Sequence, residues 1–256
     1  MNHTHTLASL CITGLVVGTA AASVIGIDNR NGYDAATTIG TGSDHSQFRA
    51  VIESMGHTLV LIEDFTDLDG IDALIAQNPH SASQQFSTDE ILSINSFVGA
   101  GGGMLAIGEA GGASSAYIPN MNQMAMGFGA EFTIPELNGN GLIVSNFYAH
   151  AITAGISQIG VDYYRKILVS GDAMDLTGDA SDFLAALDGT GGSGNTAFIG
   201  DLSIWKNNGA GSDYGISDFD NELLLRNIIG YTTVPAPSSL AMISAIGMLA
   251  SRRRRD

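Results

Sequence analysis

The hydrophobic pattern in the middle of the chain predicts strands and helices in alternation. Short, continuously apolar runs are typical of buried strands, whereas apolar residues three and four positions apart are typical of helices. The runs that predict strands are Val24–Asp28, His57–Ile62, Asp72–Ala76, Met104–Ile107, Arg165–Val169, Phe183–Leu187 and Thr196–Ile199.

Helical spacing follows several of these runs. It covers His45–Gly56 and Phe219–Tyr231, and a third helix begins where Ser87 and Glu90 form a capping box. Because the strands are apolar throughout rather than on alternate residues, both faces of their sheet should be covered. The pattern therefore predicts one α/β domain with a mostly parallel sheet.

The first 22 residues have the pattern of a secretory signal peptide. An apolar run from Leu7 ends in the small residues Ala20, Ala21 and Ala22. We expect export through the Sec translocon with cleavage between Ala22 and Ser23. The segment before the run carries His3 and His5 but no Lys or Arg, and a buried N-terminal helix is the alternative.

The last 23 residues combine a proline motif, an apolar run and a basic cluster. The motif is Val234, Pro235, Ala236 and Pro237, the run is Leu240–Ala250, and the cluster is Arg252, Arg253, Arg254 and Arg255. The run is shorter than the roughly 20 residues of an ordinary spanning helix, so its flanks would have to enter the membrane as well. The arginines would remain cytoplasmic, which leaves the main domain outside.

This tail, residues 234–256, resembles the PEP-CTERM sorting signal. The resemblance implies recognition by an exosortase-type membrane protease. It also implies transient anchoring in the inner membrane by a short C-terminal transmembrane helix, followed by residence at the cell surface or in an extracellular matrix. Ala236 stands where the family usually has Glu. A plain tail anchor without processing is the alternative.

Residues 23–233 resemble the class I glutamine-amidotransferase-like fold, which is a flavodoxin-like layered α/β fold. The resemblance rests on four short motifs in a fixed order, and it is greatest to non-catalytic members of the family. The motifs are Asp72-Ala73-Leu74-Ile75, the Gly-rich turn leading to Met104-Leu105-Ala106-Ile107-Gly108-Glu109, His150-Ala151-Ile152-Thr153-Ala154-Gly155, and Gly200-Asp201 followed by Asp220-Asn221.

Charge and cysteine content exclude several functions. Residues 23–233 hold six basic and 25 acidic side chains, a net charge of −19. Such a surface repels a phosphate backbone, so we expect no nucleic-acid partner. The sole cysteine is Cys11. Removal of the signal peptide would therefore leave no disulfide, no thiol nucleophile and no zinc–cysteine site.

The turn after the fourth strand is where catalytic amidotransferases carry a nucleophilic cysteine. Glu109 occupies that place here or lies beside it, and a carboxylate cannot perform thiol acyl transfer. Ser114 and Ser115 follow closely but have no Gly-x-Ser-x-Gly context. If the domain is an enzyme, the resemblance and the strand ends point to Glu109, Asp201 and His150 as its catalytic residues.

Two acidic loops are candidate Ca²⁺ sites, because hard cations prefer carboxylate oxygens. One holds Asp64, Asp67, Asp69 and Asp72, and the other holds Asp172, Asp175, Asp179 and Asp182. Neither loop has EF-hand spacing, and ordinary solvated loops are the alternative.

The residues therefore favour a non-enzymatic binding or structural module. The PEP-CTERM resemblance implies that such a module belongs to the cell envelope or extracellular matrix. The alternative is a divergent hydrolase that acts on envelope polysaccharide.

Overall fold

The computed structural model describes residues 22–30, 32, 34–108, 114–134, 137–178, 181–208, 210 and 213–234. The strands are β1 Val24–Asp28, β2 Thr58–Ile62, β3 Ala73–Gln77, β4 Gly103–Ile107, β5 Ala130–Phe132, β6 Leu137–Val144, β7 Ile159–Tyr164, β8 Ile167–Val169, β9 Met174–Asp175, β10 Leu184–Leu187 and β11 Thr196–Ile199. The α-helices are α1 Ser46–Ser54, α2 Thr88–Gly99, α3 Ile118–Ala125 and α4 Asn221–Thr232.

A seven-stranded sheet organises the described residues, in the order β2-β1-β3-β4-β11-β10-β9. The first five strands of that order are mutually parallel, whereas β10 runs antiparallel to β11 and β9 runs antiparallel to β10. The predicted α/β fold with a mostly parallel sheet is confirmed, and this sheet is consistent with a flavodoxin-like fold. Two small antiparallel pairs, β5 with β8 and β6 with β7, were not predicted.

Apolar side chains cover both faces of the main sheet, as the continuously apolar strands required. Within β3, Ala73 and Ile75 face a core that includes residues of α1 and α4. Leu74 and Ala76 face the opposite core, to which α2 and α3 contribute. The predicted capping box is present, because Ser87 Oγ accepts from Glu90 N–H at 3.2 Å and Glu90 Oε2 accepts from Ser87 N–H at 2.8 Å.

The buried amide of Asn221 joins α4 to three other segments. Its Oδ1 accepts from Gly160 N–H at 3.2 Å, and its Nδ2 donates to the carbonyl oxygen of Gly215 at 2.9 Å. The same Nδ2 lies 3.3 Å from the carbonyl oxygens of Gly160 and Ile204. The Asn221 carbonyl oxygen accepts from Trp205 Nε1 at 3.0 Å. One fully buried side chain therefore fixes β7 and the chain segments on either side of residue 210.

The structure does not support the membrane anchoring that was expected from the C-terminal tail. In the part of the chain that the structure describes, no helix is long and apolar enough to span a bilayer. The longest helices, α2 and α4, have 12 residues each, against the roughly 20 that a spanning helix needs. Residues 1–21 of the expected signal peptide and the sorting-motif residues after Val234 lie outside the described residues.

We predict that Asn221→Ala lowers the free energy of unfolding by about 2–4 kcal/mol, because it leaves several buried backbone groups without their partner. Urea unfolding followed by far-UV circular dichroism measures this change. Gln123→Ala, at an exposed position of α3, is the matched control and should stay within about 0.5 kcal/mol of the wild type. Equal effects of the two substitutions would refute the role given to Asn221.

Candidate functional site

Buried polar residues gather at the carboxyl ends of the parallel strands. Asp28 ends β1, Gln77 ends β3, Asn78 follows β3 and Asp201 follows β11; each of these four residues is fully buried. In open α/β sheets, ligands bind in the crevice outside this edge. We call the region the carboxyl edge and treat it as the candidate site.

Asp201 holds the turn after β11 in place. Its Oδ1 accepts from Ser203 N–H at 2.7 Å, and its Oδ2 accepts from Asp162 N–H at 3.0 Å. Burial raises the pKa of Asp201 to about 7, although both hydrogen bonds oppose the rise. Because both oxygens bond to the backbone, Asp201 is a positioning residue for this turn.

The main chain of Arg165 crosses the carboxyl edge beside the same turn. Arg165 N–H donates to the carbonyl oxygen of Gly200 at 2.9 Å. A Cβ at residue 200 would lie 1.9 Å from the Arg165 carbonyl oxygen, so only glycine fits there. The fully buried Arg165 guanidinium donates to Ser115 Oγ at 2.9 Å and to the carbonyl oxygen of Thr133 at 3.2 Å. It therefore joins the segment after β4 to the end of β11.

Lys206 lies between two residues, Trp205 and Asn207, that are held by hydrogen bonds. Trp205 before it is fully buried and bonds to α4 through its indole. Asn207 after it docks on the N-terminus of α1, where its Nδ2 donates to Ser43 O at 2.7 Å and its Oδ1 accepts from Gln47 N–H at 2.9 Å. The Lys206 ammonium has no hydrogen-bond or ion-pair partner among the described residues.

Two histidines lie close enough to Lys206 for its charge to affect them. Burial, and then the Lys206 charge, lower the pKa of His45 to about 4. Burial, followed by the charges of Arg165 and Lys206, lowers the pKa of His80 to about 4. Both imidazoles are therefore neutral at neutral pH and add nothing to the positive charge of Lys206 and Arg165.

The basic side chains are concentrated at this edge although the domain is acidic. Of the six in residues 23–233, Arg49 supports the loop after β1 by donating to Ile39 O and Gly42 O, both at 2.9 Å. Arg30 forms an ion pair with Glu90 at 2.8 Å, and its guanidinium carbon lies 5.1 Å from the centre of the Phe65 ring. With Arg165 and Lys206, four of the six lie at the carboxyl edge.

These four basic residues were not predicted as part of a site from the sequence. The sequence did contain a signal for them. Basic residues are rare in this acidic domain, so the position of each one is informative. Lys206 is the only Lys or Arg between residues 167 and 225, and His80 comes directly after Asn78-Pro79 at the end of the third predicted strand.

The three residues predicted for an enzyme do not form one described cluster. His150 lies 3.3 Å from Asp188, which follows Leu187, and Leu187 pairs with the first residue of β11. Asp201 follows the last residue of β11, so His150 and Asp201 lie at opposite ends of that strand. Glu109 lies outside the described residues.

His150 has structural contacts at the amino ends of the parallel strands. Its Nδ1 accepts from Ile152 N–H at 3.1 Å, and its ring packs edge-on against Tyr231, with the ring centres 5.0 Å apart. The Tyr231 hydroxyl donates to Asp188 at 2.8 Å. These contacts attach the His150 turn to α4.

The acidic loops bond mainly to their own backbone or to neighbouring side chains. Asp64 Oδ1 accepts from Thr66 N–H at 2.8 Å, and Asp175 Oδ1 accepts from Thr177 N–H at 3.0 Å. Asp182 forms an ion pair with Lys166 at 2.9 Å. Among the described residues, no three His, Cys, Asp or Glu side chains are placed to hold a metal ion. Asp179 lies outside the described residues.

A groove of about 460 Å³ lies at the amino ends of the parallel strands. Ile71, Phe97 and the main chain of Gly101 and Gly102 contribute to its lining. Its one carboxylate, Asp72, already accepts from Val24 N–H at 2.7 Å. The groove therefore presents few polar groups for recognition, and the carboxyl edge remains the candidate site.

We predict that Asp201→Asn flattens the pH dependence of stability between about pH 4 and 7. The folded-state pKa of Asp201 is raised above its ordinary value, so the contribution of this group is fully present near pH 4 and is lost as pH rises towards 7. The wild type should lose up to about 1.4 kcal/mol per pH unit relative to the variant across that window.

Urea unfolding of both proteins at pH 5, 6, 7 and 8 measures this difference. Asp172→Asn, which changes an exposed loop carboxylate, is the matched control and should follow the wild type. A constant difference between wild type and Asp201→Asn at all four pH values would contradict the assignment.

Comparison with known proteins identifies the fold but does not identify a family. No family model and no curated protein matches the chain. Among solved structures, the N-terminal domain of mmIFT52 aligns with a TM-score of 0.66 at 15% identity, covering 83% of this chain and 98% of that domain. A cytoplasmic protein from Salmonella typhimurium aligns with a TM-score of 0.53 at 14% identity, covering 82% of this chain and 98% of that one.

A ThuA-like protein from Bacteroides uniformis aligns with a TM-score of 0.50 at 13% identity, covering 86% of this chain and 96% of that one. Identities this low establish the fold alone. ThuA-like proteins have a glutamine-amidotransferase-like fold, and the chain shares that fold.

Proposed function

We propose that this domain is a non-enzymatic binding module whose carboxyl edge holds a small ligand with a single carboxylate. The proposal rests on Lys206. Hydrogen bonds hold the residues on both sides of it, and its ammonium has no partner among the described residues. Its neighbours Trp205 and Asn207 make five hydrogen bonds that connect this segment to α4, to α1 and to the residues just before α1. A cation on a fixed backbone segment, with open donor positions, can accept an anion.

The charge of the domain limits the class of anion. With a net charge of −19 in residues 23–233, long-range repulsion grows with the charge of the approaching ligand. A phosphate or a polyanion meets about twice this repulsion or more, whereas a single carboxylate meets the least. Burial keeps His45 and His80 neutral at neutral pH, so they add no second positive charge beside Lys206. A uronic-acid sugar carries one carboxylate and suits this single ammonium.

Two features support binding rather than catalysis. Asp201 is fully buried with both oxygens accepting from the backbone, which leaves it poorly placed to exchange a proton with a ligand. An activated serine donates to a base, and the one hydrogen bond of Ser115 Oγ among the described residues is the one it accepts from the Arg165 guanidinium. The alternative hydrolase gains no support, since His150 lies at the far end of β11 from Asp201.

We predict saturable binding of glucuronate and no binding of uncharged glucose. Isothermal titration calorimetry measures the affinity. The fluorescence of Trp205, the only tryptophan of the chain, gives a second signal beside the site. Lys206→Ala should weaken glucuronate binding by at least about tenfold, because it removes a charge-assisted hydrogen bond.

The matched control is Arg226→Ala, which removes a cation paired with Glu222 on the surface of α4. It should leave the affinity unchanged. Equal binding of glucose and glucuronate, or equal losses in the two variants, would contradict the proposal. Turnover of a glucuronate-containing oligosaccharide would contradict its non-enzymatic part.

A further inference from the structure

Strand β2 lies at one edge of the seven-stranded sheet and pairs only with β1 among the described strands. Two of its apolar residues are exposed: Val60 is 39% exposed and Leu61 is 47% exposed. Sheet edges of this kind are usually protected by lysine, proline or a bulge, because their open backbone groups can pair with another chain. The sequence of β2, TLVLI, has no charged residue and no proline.

The hydrogen bonds to β1 show which backbone groups of β2 face outward. Thr58 N–H donates to Ser23 O, and Ile62 O accepts from Asn29 N–H, both at 2.9 Å. Thr58, Val60 and Ile62 therefore direct their N–H and C=O groups towards β1. Leu59 and Leu61 direct theirs towards the open edge, because these directions alternate along a strand.

We propose that two copies of this chain associate through antiparallel pairing of their β2 strands, about a two-fold axis at Val60. In that register Val60 faces Val60 of the second copy, and Leu59 faces Leu61. The Leu59–Leu61 positions form hydrogen-bonded pairs, one on each side of the axis, and each pair exchanges two bonds. The outward groups of both strands are thereby satisfied, and the two sheets become one continuous sheet.

Self-complementarity identifies a second copy as the partner. The strand places an apolar residue opposite an apolar residue at its three central positions. Extending the same register sets Glu63 opposite His57 and Asp64 opposite Gly56, so no acidic residue of the strand ends faces another. Across residues 56–64 this register therefore sets no two like charges opposite each other.

The size and charge of the contact determine the expected affinity of the dimer and its dependence on salt. Five residues per copy make a contact well below that of a stable dimer, which predicts a dissociation constant on the order of micromolar or weaker. The two acidic copies also repel each other at long range. Raising the salt concentration screens this repulsion and should tighten the dimer, whereas salt weakens a contact held by ion pairs.

Sedimentation velocity of the full chain over a range of concentrations tests the proposal. The wild type should show a monomer–dimer equilibrium that shifts towards dimer at higher salt. Val60→Lys should weaken dimerisation at least tenfold, because it sets two like charges directly opposite each other. Leu92→Lys, at a 58% exposed position of α2, is the matched control and should dimerise like the wild type.

A charge-swap experiment keeps the test independent of any effect on folding. Val60→Lys and Val60→Glu should each be monomeric alone, and their mixture should form a heterodimer, because residue 60 faces its own counterpart. In a Cys11→Ser background, Val60→Cys should form an interchain disulfide with oxidised glutathione, since such facing Cα atoms lie about 4.5 Å apart. A monomeric wild type, or a mixture that stays monomeric, would overturn the proposal.

Discussion

The buried side chain of Asn221 is the constraint on which the candidate site depends. It bonds to the backbone of β7, to the segment that carries Lys206 and to the segment that precedes α4, while its own carbonyl oxygen holds Trp205. These segments are distant in sequence and form few regular ladders with one another. One primary amide, with two donors and an acceptor, can bond to all of them in a fully buried position.

Asp201 has a similar role at the end of β11. It joins the turn after β11 to β7, and burial raises its pKa to about 7. The carboxyl edge is thus supported by polar contacts that are themselves buried, and the half-buried Lys206 lies on the segment that they hold. This arrangement keeps Lys206 in place at the carboxyl edge of an acidic domain.

The sequence predicted the parallel half of the fold well, because continuously apolar strands and a capping box are local signals. Thr196–Ile199 coincides with β11, and the predicted final helix is α4 shifted by one or two residues. The β5–β8 and β6–β7 pairs were missed, since their register depends on contacts between distant segments. The motifs Gly200-Asp201, Asp220-Asn221 and His150-Ala151-Ile152-Thr153 were predicted as family features. In the structure, their side chains mainly fix loops to β7 and α4.

The candidate site was harder to predict than the fold. Asp201 was placed at a strand end correctly, but its partners, Asp162 N–H and Ser203 N–H, are backbone groups that leave no sequence pattern. Native-state hydrogen exchange of the amides of Gly160, Asp162 and Ser203 tests the account most directly. If Asn221 and Asp201 make this edge part of the core, these amides should open with the same free energy as Ile75 in β3, within about 1 kcal/mol. Exchange through local openings several kcal/mol less costly than those of Ile75 would contradict it.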